Sequence, residues 1–418
     1  MPRVLTLRGR IVRNLGGHFG RAAVALLGYS LAIFLASAPA TAQAAPGWSF
    51  VELYAFGASP TLADGIQPEA GMVRDNEGNL YGTTFFGGNG TGCDINFAGC
   101  GVVFEITPSG VETVLHAFSG AKDGWNPTGR LIRDDAGNLY GTTQFGGLFG
   151  YGTVFKLDSF GNETILHHFR GGSDGANPNA GVVEDSTGNL YGTTRYGGQG
   201  CDGEGCGTVF KIATSGAETI LYRFRDGSDG ANPLSGVALD SAGDIYGTAW
   251  AGGIFNYGTI FEIDILGHEK ILYHFAGGGD GSNPVGGVTL DKSGNLFGTA
   301  SGAGSSYIGT VFEVSAAGTE STVYTFTGGV DGAYPTSHLL VDSAGNLYGM
   351  ASQGVAGWGS VFKVSGGTFT LLYYFSGTPD GGLPVGGLIM DSSGNLYGTT
   401  SSAAPNGWGS AFELQKMQ

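Results

Sequence analysis

Residues 174–198 read DGANPNAGVVEDSTGNLYGTTRYGG, and residues 229–253 read DGANPLSGVALDSAGDIYGTAWAGG. The wording returns in looser form along the chain. The motif DG-x-x-P begins at Asp64, Asp123, Asp174, Asp229, Asp280, Asp331 and Asp380. G-[ND]-[LI]-[YF]-G begins at Gly78, Gly137, Gly188, Gly243, Gly294, Gly345 and Gly394. G-x-x-F-[EK] begins at Gly101, Gly152, Gly207, Gly258, Gly309, Gly359 and Gly409. Each motif occurs seven times, at spacings of 49 to 51 residues apart from an interval of 55 in all three and one of 59 in the first two. Such a period marks an array of supersecondary units, each too small to bury its apolar face alone.

Within one period, four short apolar runs alternate with turn residues. In copy three they cover residues 181–184, 190–194, 208–212 and 219–224. Runs rich in Val, Ile, Thr, Tyr and Phe and bounded by Gly and Asp read as strands. Helical 3.6-residue periodicity is confined to the N-terminal segment. An open solenoid and a closed propeller both suit such a repeat. The outermost runs decide between them. Residues 50–56, FVELYAF, match a fourth run such as TVLHAF at 113–118, yet they precede any sheet. Residues 410–414, SAFEL, are a third run with no fourth behind them. A ring lets one complete the other and leaves no open edge. The expected fold is all-β: a seven-bladed β-propeller, four antiparallel strands per blade, closed by the N-terminal strand.

The chain has 418 residues, with 81 Gly and 14 Pro that follow the repeat and so punctuate turns. Arg3, Arg8, Arg10, Arg13 and Arg21 precede an apolar run over residues 22–36. Small residues follow, with A-x-A patterns at 40–42 and 42–44. Residues 1–44 therefore read as a secretory signal peptide, leaving 45–418 as a single propeller. The formal net charge is −16, and losing those arginines makes the remainder more acidic. Such a surface repels nucleic acid and anionic lipid. No later segment is long and apolar enough to span a bilayer. The expected protein is a monomer that is secreted, periplasmic or on the cell surface.

The motifs GTVFKL, DGANP and GNLYGTT, repeated behind a signal peptide, resemble the GloVer tandem-repeat family of bacterial exported proteins. The resemblance runs from Phe50 to Leu414. It implies the fold and export. It brings no established activity and no catalytic residues.

Recurring residues read first as scaffold. In D-x-x-G-[ND], Asp75, Asp134, Asp185, Asp240, Asp291, Asp342 and Asp391 suit turns whose backbone donates to the carboxylate. They lack the alternating oxygen ligands and terminal Glu of a calcium loop. Phe56, Phe118, Phe169, Phe224, Phe275, Phe326 and Phe375 are expected to pack between blades. The distance from GNLYG to GTVF is 15 residues in most copies, 23 in copy one and 19 in copy three. Those two insertions hold Cys93 and Cys100, and Cys201 and Cys206. In an exported chain these read as two local disulfides. A zinc site from all four thiolates would require loops of non-neighbouring blades to meet. No metal and no cofactor are implied.

A ligand site must break the seven-fold symmetry. The residue opening the innermost strand is Gly71, Gly181, Gly236, Gly287 and Gly387 in five copies, but Arg130 and His338 in the other two. Both are expected near the mouth of the central channel. After GNLYGTT, early copies carry bulky residues, Trp250 among them, and later ones Ser301, Ser352 and Ser401. Just before G-x-x-F stand Tyr151, Tyr257, Trp358 and Trp408. Loops before the first strand and between the second and third share one face of a propeller. That face is expected to bind a glycan or an extracellular protein, with Arg130, His338, Tyr151, Tyr257, Trp358, Trp408 and Trp250 as contacts. Packing of the rings on blade edges is the competing role. Two other functions compete with binding. A hydrolase or lyase would need an acid–base pair converging on His338. A structural envelope protein would need no ligand.

Overall fold

The sentence LYGTT builds a blade residue by residue. The computed structural model describes residues 43–93, 99–302, 308–354 and 357–417; the expected leader through residue 42 lies outside the described residues. In the second strand of blade three, Leu190–Thr194, Leu190 is buried in the core. Tyr191 donates to Asp185 Oδ2 at 2.9 Å, tying the strand to its own turn. Gly192 lies over Phe210, and a Cβ there would meet the ring at 2.6 Å. Thr193 donates to the Ser235 carbonyl of the next blade at 2.8 Å. Thr194 shares a hydrogen bond with Thr208 of the third strand at 2.8 Å. The sentence recurs because core, turn, ring contact and blade-to-blade latch each need their own residue.

Blade one holds Val73–Arg74, Leu80–Thr84, Val102–Ile106 and Glu112–Ala117, hydrogen-bonded in that order. Blades two to six span 132–168, 183–223, 238–274, 282–325 and 333–374. Blade seven takes Ile389–Met390, Leu396–Thr400 and Ser410–Lys416, and Trp48–Ala55 supplies its outer strand. The closing pair is antiparallel, from Trp48 opposite Lys416 to Ala55 opposite Ser410. The chain is thus a seven-bladed ring closed by its N-terminal strand. Among the described residues, no helix is long and apolar enough to cross a membrane.

Two features differ from the sequence reading. The innermost strand of copy three shrinks from residues 181–184 to Val183–Glu184. Asn177 just before it has φ 56°, and backbone at Gly181 abuts the Arg130 carbonyl, so the chain is bent where a ladder would begin. Gln43–Ala44 pairs with Tyr374 and Tyr373 on the edge of blade six. Those two residues fall inside the expected leader. Cleavage after Ala42 retains them, and cleavage after Ala44 removes them.

Blade contacts are aromatic. Phe56–Phe104, Phe118–Phe155, Phe169–Phe210, Phe224–Phe261, Phe275–Phe312, Phe326–Phe362 and Phe375–Phe412 pair at 4.9 to 5.3 Å between centroids. Each pair joins the outer strand of one blade to the third strand of the next, as expected. Offset and edge-to-face rings add about 0.5–1.5 kcal/mol per pair beyond burial.

Candidate functional site

Around the central channel, neighbouring blades approach backbone to backbone. A Cβ at Gly71 would lie 2.7 Å from the Gly387 carbonyl oxygen. Glycine in this column is therefore a requirement of close approach. Arg130 of blade two and His338 of blade six interrupt it. Water reaches both side chains. Yet enclosure by protein lowers the pKa of each, and the Arg130 charge helps hold His338 down to about 4. The two side chains are therefore near enough for their charges to interact.

Their surroundings define what they can do. His338 Nδ1 lies 3.2 Å from the Gly286 carbonyl oxygen, which only accepts, so Nδ1 carries the proton. Nε2 stands 2.9 Å from the Thr289 hydroxyl oxygen, whose own hydrogen is directed at the Leu339 carbonyl. A neutral imidazole with both nitrogens engaged is a poor proton shuttle. The Arg130 guanidinium makes no hydrogen bond or ion pair with any described residue. It is a solvent-accessible cation without a counter-charge among the described residues.

Sequence reading missed the next column. The residue after the proline of DG-x-x-P is Glu69, Thr128, Asn179, Leu234, Val285, Thr336 and Val385. All seven are half-buried. Glu69 is enclosed enough that burial pushes its carboxyl up to about 7. Thr128 Oγ1 and Thr336 Oγ1 are shielded from solvent and lack a partner. Gln144 of blade two donates to Asn179 Oδ1 of blade three at 2.8 Å, so this column meets the one after GNLYGTT. The mouth is therefore uneven. Phe85, Gln144, Arg195 and Trp250 crowd blades one to four, and Ser301, Ser352 and Ser401 leave blades five to seven open. Glu69 lies in a column that varies freely between copies, so comparison of copies alone does not single it out.

The aromatic residues before G-x-x-F sit elsewhere on that face. Tyr151, Tyr257 and Trp358 are 44, 39 and 37% exposed, and Trp408 and Trp250 are half-buried. Each ring before G-x-x-F lies against a glycine in the exit loop of its own blade. A Cβ at Gly171 would meet Tyr151 at 2.9 Å, at Gly277 Tyr257 at 2.6 Å, at Gly377 Trp358 at 2.7 Å, and at Gly57 Trp408 at 2.4 Å. In blades one and three the same position holds Cys100 and Cys206; the Cys100 sulfur lies 2.8 Å from a Cβ position at Gly120 of the exit loop, and the Cys206 sulfur 2.8 Å from one at Gly200 of its own insertion, which also abuts the Arg225 carbonyl of the exit loop. Both cysteines form the expected disulfides, Cys93–Cys100 and Cys201–Cys206. Ring and disulfide fill one structural role, covering the exit loop. No contact joins these rings to Arg130 or His338.

Solved structures of low identity are similar to the chain. Puromycin hydrolase matches at 11% identity with a TM-score of 0.53, over 86% of this chain and 55% of that one. A luciferin-regenerating enzyme matches at 11% identity and a TM-score of 0.43, over 88% and 95%. TolB from Acinetobacter baumannii matches at 14% identity and 0.36, over 52% and 47%. These likenesses concern the fold alone. No curated protein matches the chain. Seven copies of one sentence, each decoded by the same blade contacts, match the Gloeobacter/Verrucomicrobia repeat over residues 48–261 and 236–418, and the chain belongs to that family.

Proposed function

We propose that this protein is an exported, monomeric binding module that takes an acidic glycan, or an acidic loop of an extracellular protein, at the mouth of its channel. Residues 1–44 or slightly fewer serve as the leader. The observation that carries the proposal is Arg130. A solvent-accessible guanidinium without a counter-charge among the described residues favours a ligand that brings an anion. The smaller Ser301, Ser352 and Ser401 on blades five to seven leave room for such a ligand to enter. The hydrolase or lyase reading gains less support. His338 has both nitrogens engaged and no carboxylate beside it, and Glu69 feels no neighbouring charge.

The test is an array of neutral, uronic-acid and sulfated glycans, with envelope extracts, probed with the purified protein. Arg130→Gln should weaken binding tenfold or more, about 1.4 kcal/mol. Trp358→Ala should lower the melting temperature and leave affinity in place. Equal binding by Arg130→Gln would remove the channel as the site. Failure to bind any probe would favour a structural envelope role.

A further inference from the structure

The fourth strands repeat a second cluster. At each blade boundary a residue of the fourth strand meets the Asp of DG-x-x-P. In five of the seven boundaries a Glu that opens the next blade's fourth strand joins them. In five copies the first residue is tyrosine, and Tyr54, Tyr222, Tyr273, Tyr324 and Tyr373 donate to Asp64, Asp229, Asp280, Asp331 and Asp380 at 2.9 to 3.0 Å. In the other two it is His116 and His167. His116 does not replace the phenol's hydrogen bond. Its Nε2 lies 3.8 Å from Asp123 Oδ2 and 3.7 Å from Glu163 Oε1, beyond hydrogen-bond reach of both. Nε2 and Oε1 are nevertheless shut off from solvent and unpartnered. At the next boundary His167 Nε2 lies 3.2 Å from Asp174 Oδ2, and Glu218 Oε1 is buried without a partner. In each trio the three ligand atoms lie within 4.8 Å of one another.

Atoms bound to one tetrahedral zinc at about 2.0–2.1 Å stand roughly 3.3–3.5 Å apart. In the first trio the two separations from His116 Nε2 would need to contract by only a few tenths of an ångström, and the two carboxylate oxygens lie within 4.8 Å of each other. We infer that His116–Asp123–Glu163 and His167–Asp174–Glu218 bind divalent transition ions of the zinc class. One neutral imidazole and two carboxylates match a dication in charge and in ligand type. Each ion would link two blades: His116 and Asp123 flank the end of blade one, and Glu163 belongs to blade two. His167, Asp174 and Glu218 join blades two and three in the same way. A solvent molecule completes the coordination, since each histidine keeps a small opening, 19 and 11% of its side chain. Such an ion would be a staple of the ring, where the tyrosine copies close with a hydrogen bond.

The test uses untagged, chelator-treated full-length exported protein with zinc, and with cobalt as the spectroscopic probe. The expected result is two zinc equivalents by calorimetry, visible cobalt bands, and a melting temperature raised by several degrees at saturating zinc. His116→Tyr and His167→Tyr should each remove one equivalent, and the pair both. Tyrosine occupies this position in the other five copies, so the variants keep a residue the fold already accepts. Absence of zinc binding by the parent protein would overturn the inference. So would two equivalents surviving in the double tyrosine variant, which would place the metal elsewhere.

Discussion

Leu383 occupies a backbone position that four copies give to asparagine. Asn126, Asn177, Asn232 and Asn283 have φ of 53 to 56°, and their side chains donate to the Phe85, Gln144, Arg195 and Trp250 carbonyls of the preceding blade at 2.7 to 3.1 Å. Asparagine tolerates the left-handed region, and its amide is satisfied there. Leu383 sits at φ 52° with no amide to offer. Leu383→Asn removes that conflict and lets the new amide reach toward the Ser352 carbonyl. It should stabilise the protein by about 1 kcal/mol. A urea titration measures this as a higher midpoint with an unchanged slope. A lower midpoint would mean that the packing of half-buried Leu383 outweighs the backbone strain.

The closing strand is the element on which the ring depends. Phe50 stacks on Tyr373 at 4.6 Å, and Phe56 is fully buried against Phe104. Deleting residues 48–56 removes both rings and leaves Ser410–Lys416 as an open edge. Each buried phenylalanine lost costs about 3–5 kcal/mol, so the truncated protein should aggregate or melt far below the intact one. Equal melting of the two would mean that the strand does not close the ring. This element was legible from sequence because FVELYAF reads as a fourth strand and SAFEL as a third. The two disulfides were legible because loop length and cysteine content changed together. The bent inner strands were harder, since a strand-like residue pattern says nothing of a neighbouring blade's backbone. Arg130 and His338 stood out against a column of glycines. Glu69 did not, because its column varies freely and only the channel gives it meaning. The tyrosine or histidine, Asp and Glu at each boundary come from separate repeats, and their meeting depends on how blades stack.

Across the whole molecule, those boundaries set how stability depends on pH. Glu112 faces Asp64 and Tyr54, and burial followed by the Asp64 charge pushes its carboxyl up to about 7. Glu269 faces Asp229 and Tyr222, with Arg225 close to that phenol, and burial followed by the Asp229 charge raises it likewise to about 7. Burial also raises Glu52 and Glu320. An acid whose folded pKa exceeds its unfolded value binds more protons in the folded state between the two values. Its stabilising contribution is full below pH 4.5 and falls as pH rises towards 7. Solvent reaches these groups, so each is worth no more than about 1–2 kcal/mol. At the acid end the turn carboxylates oppose this. Hydrogen bonds from Asn79 and Tyr81 hold Asp75 below its usual range, and Asp134, Asp342 and Asp391 are held down in the same way. Their contribution is lost as pH falls below 3.8. The melting temperature should therefore peak between about pH 4 and 5 and decline toward neutrality. General repulsion in an acidic protein gives a decline of the same sign, so the paired variants decide the cause. Glu112→Gln with Glu269→Gln stays neutral at every pH and should flatten the slope between pH 4.5 and 7. A slope as steep as the parent's would assign the decline to net charge and clear the boundary carboxyls of it.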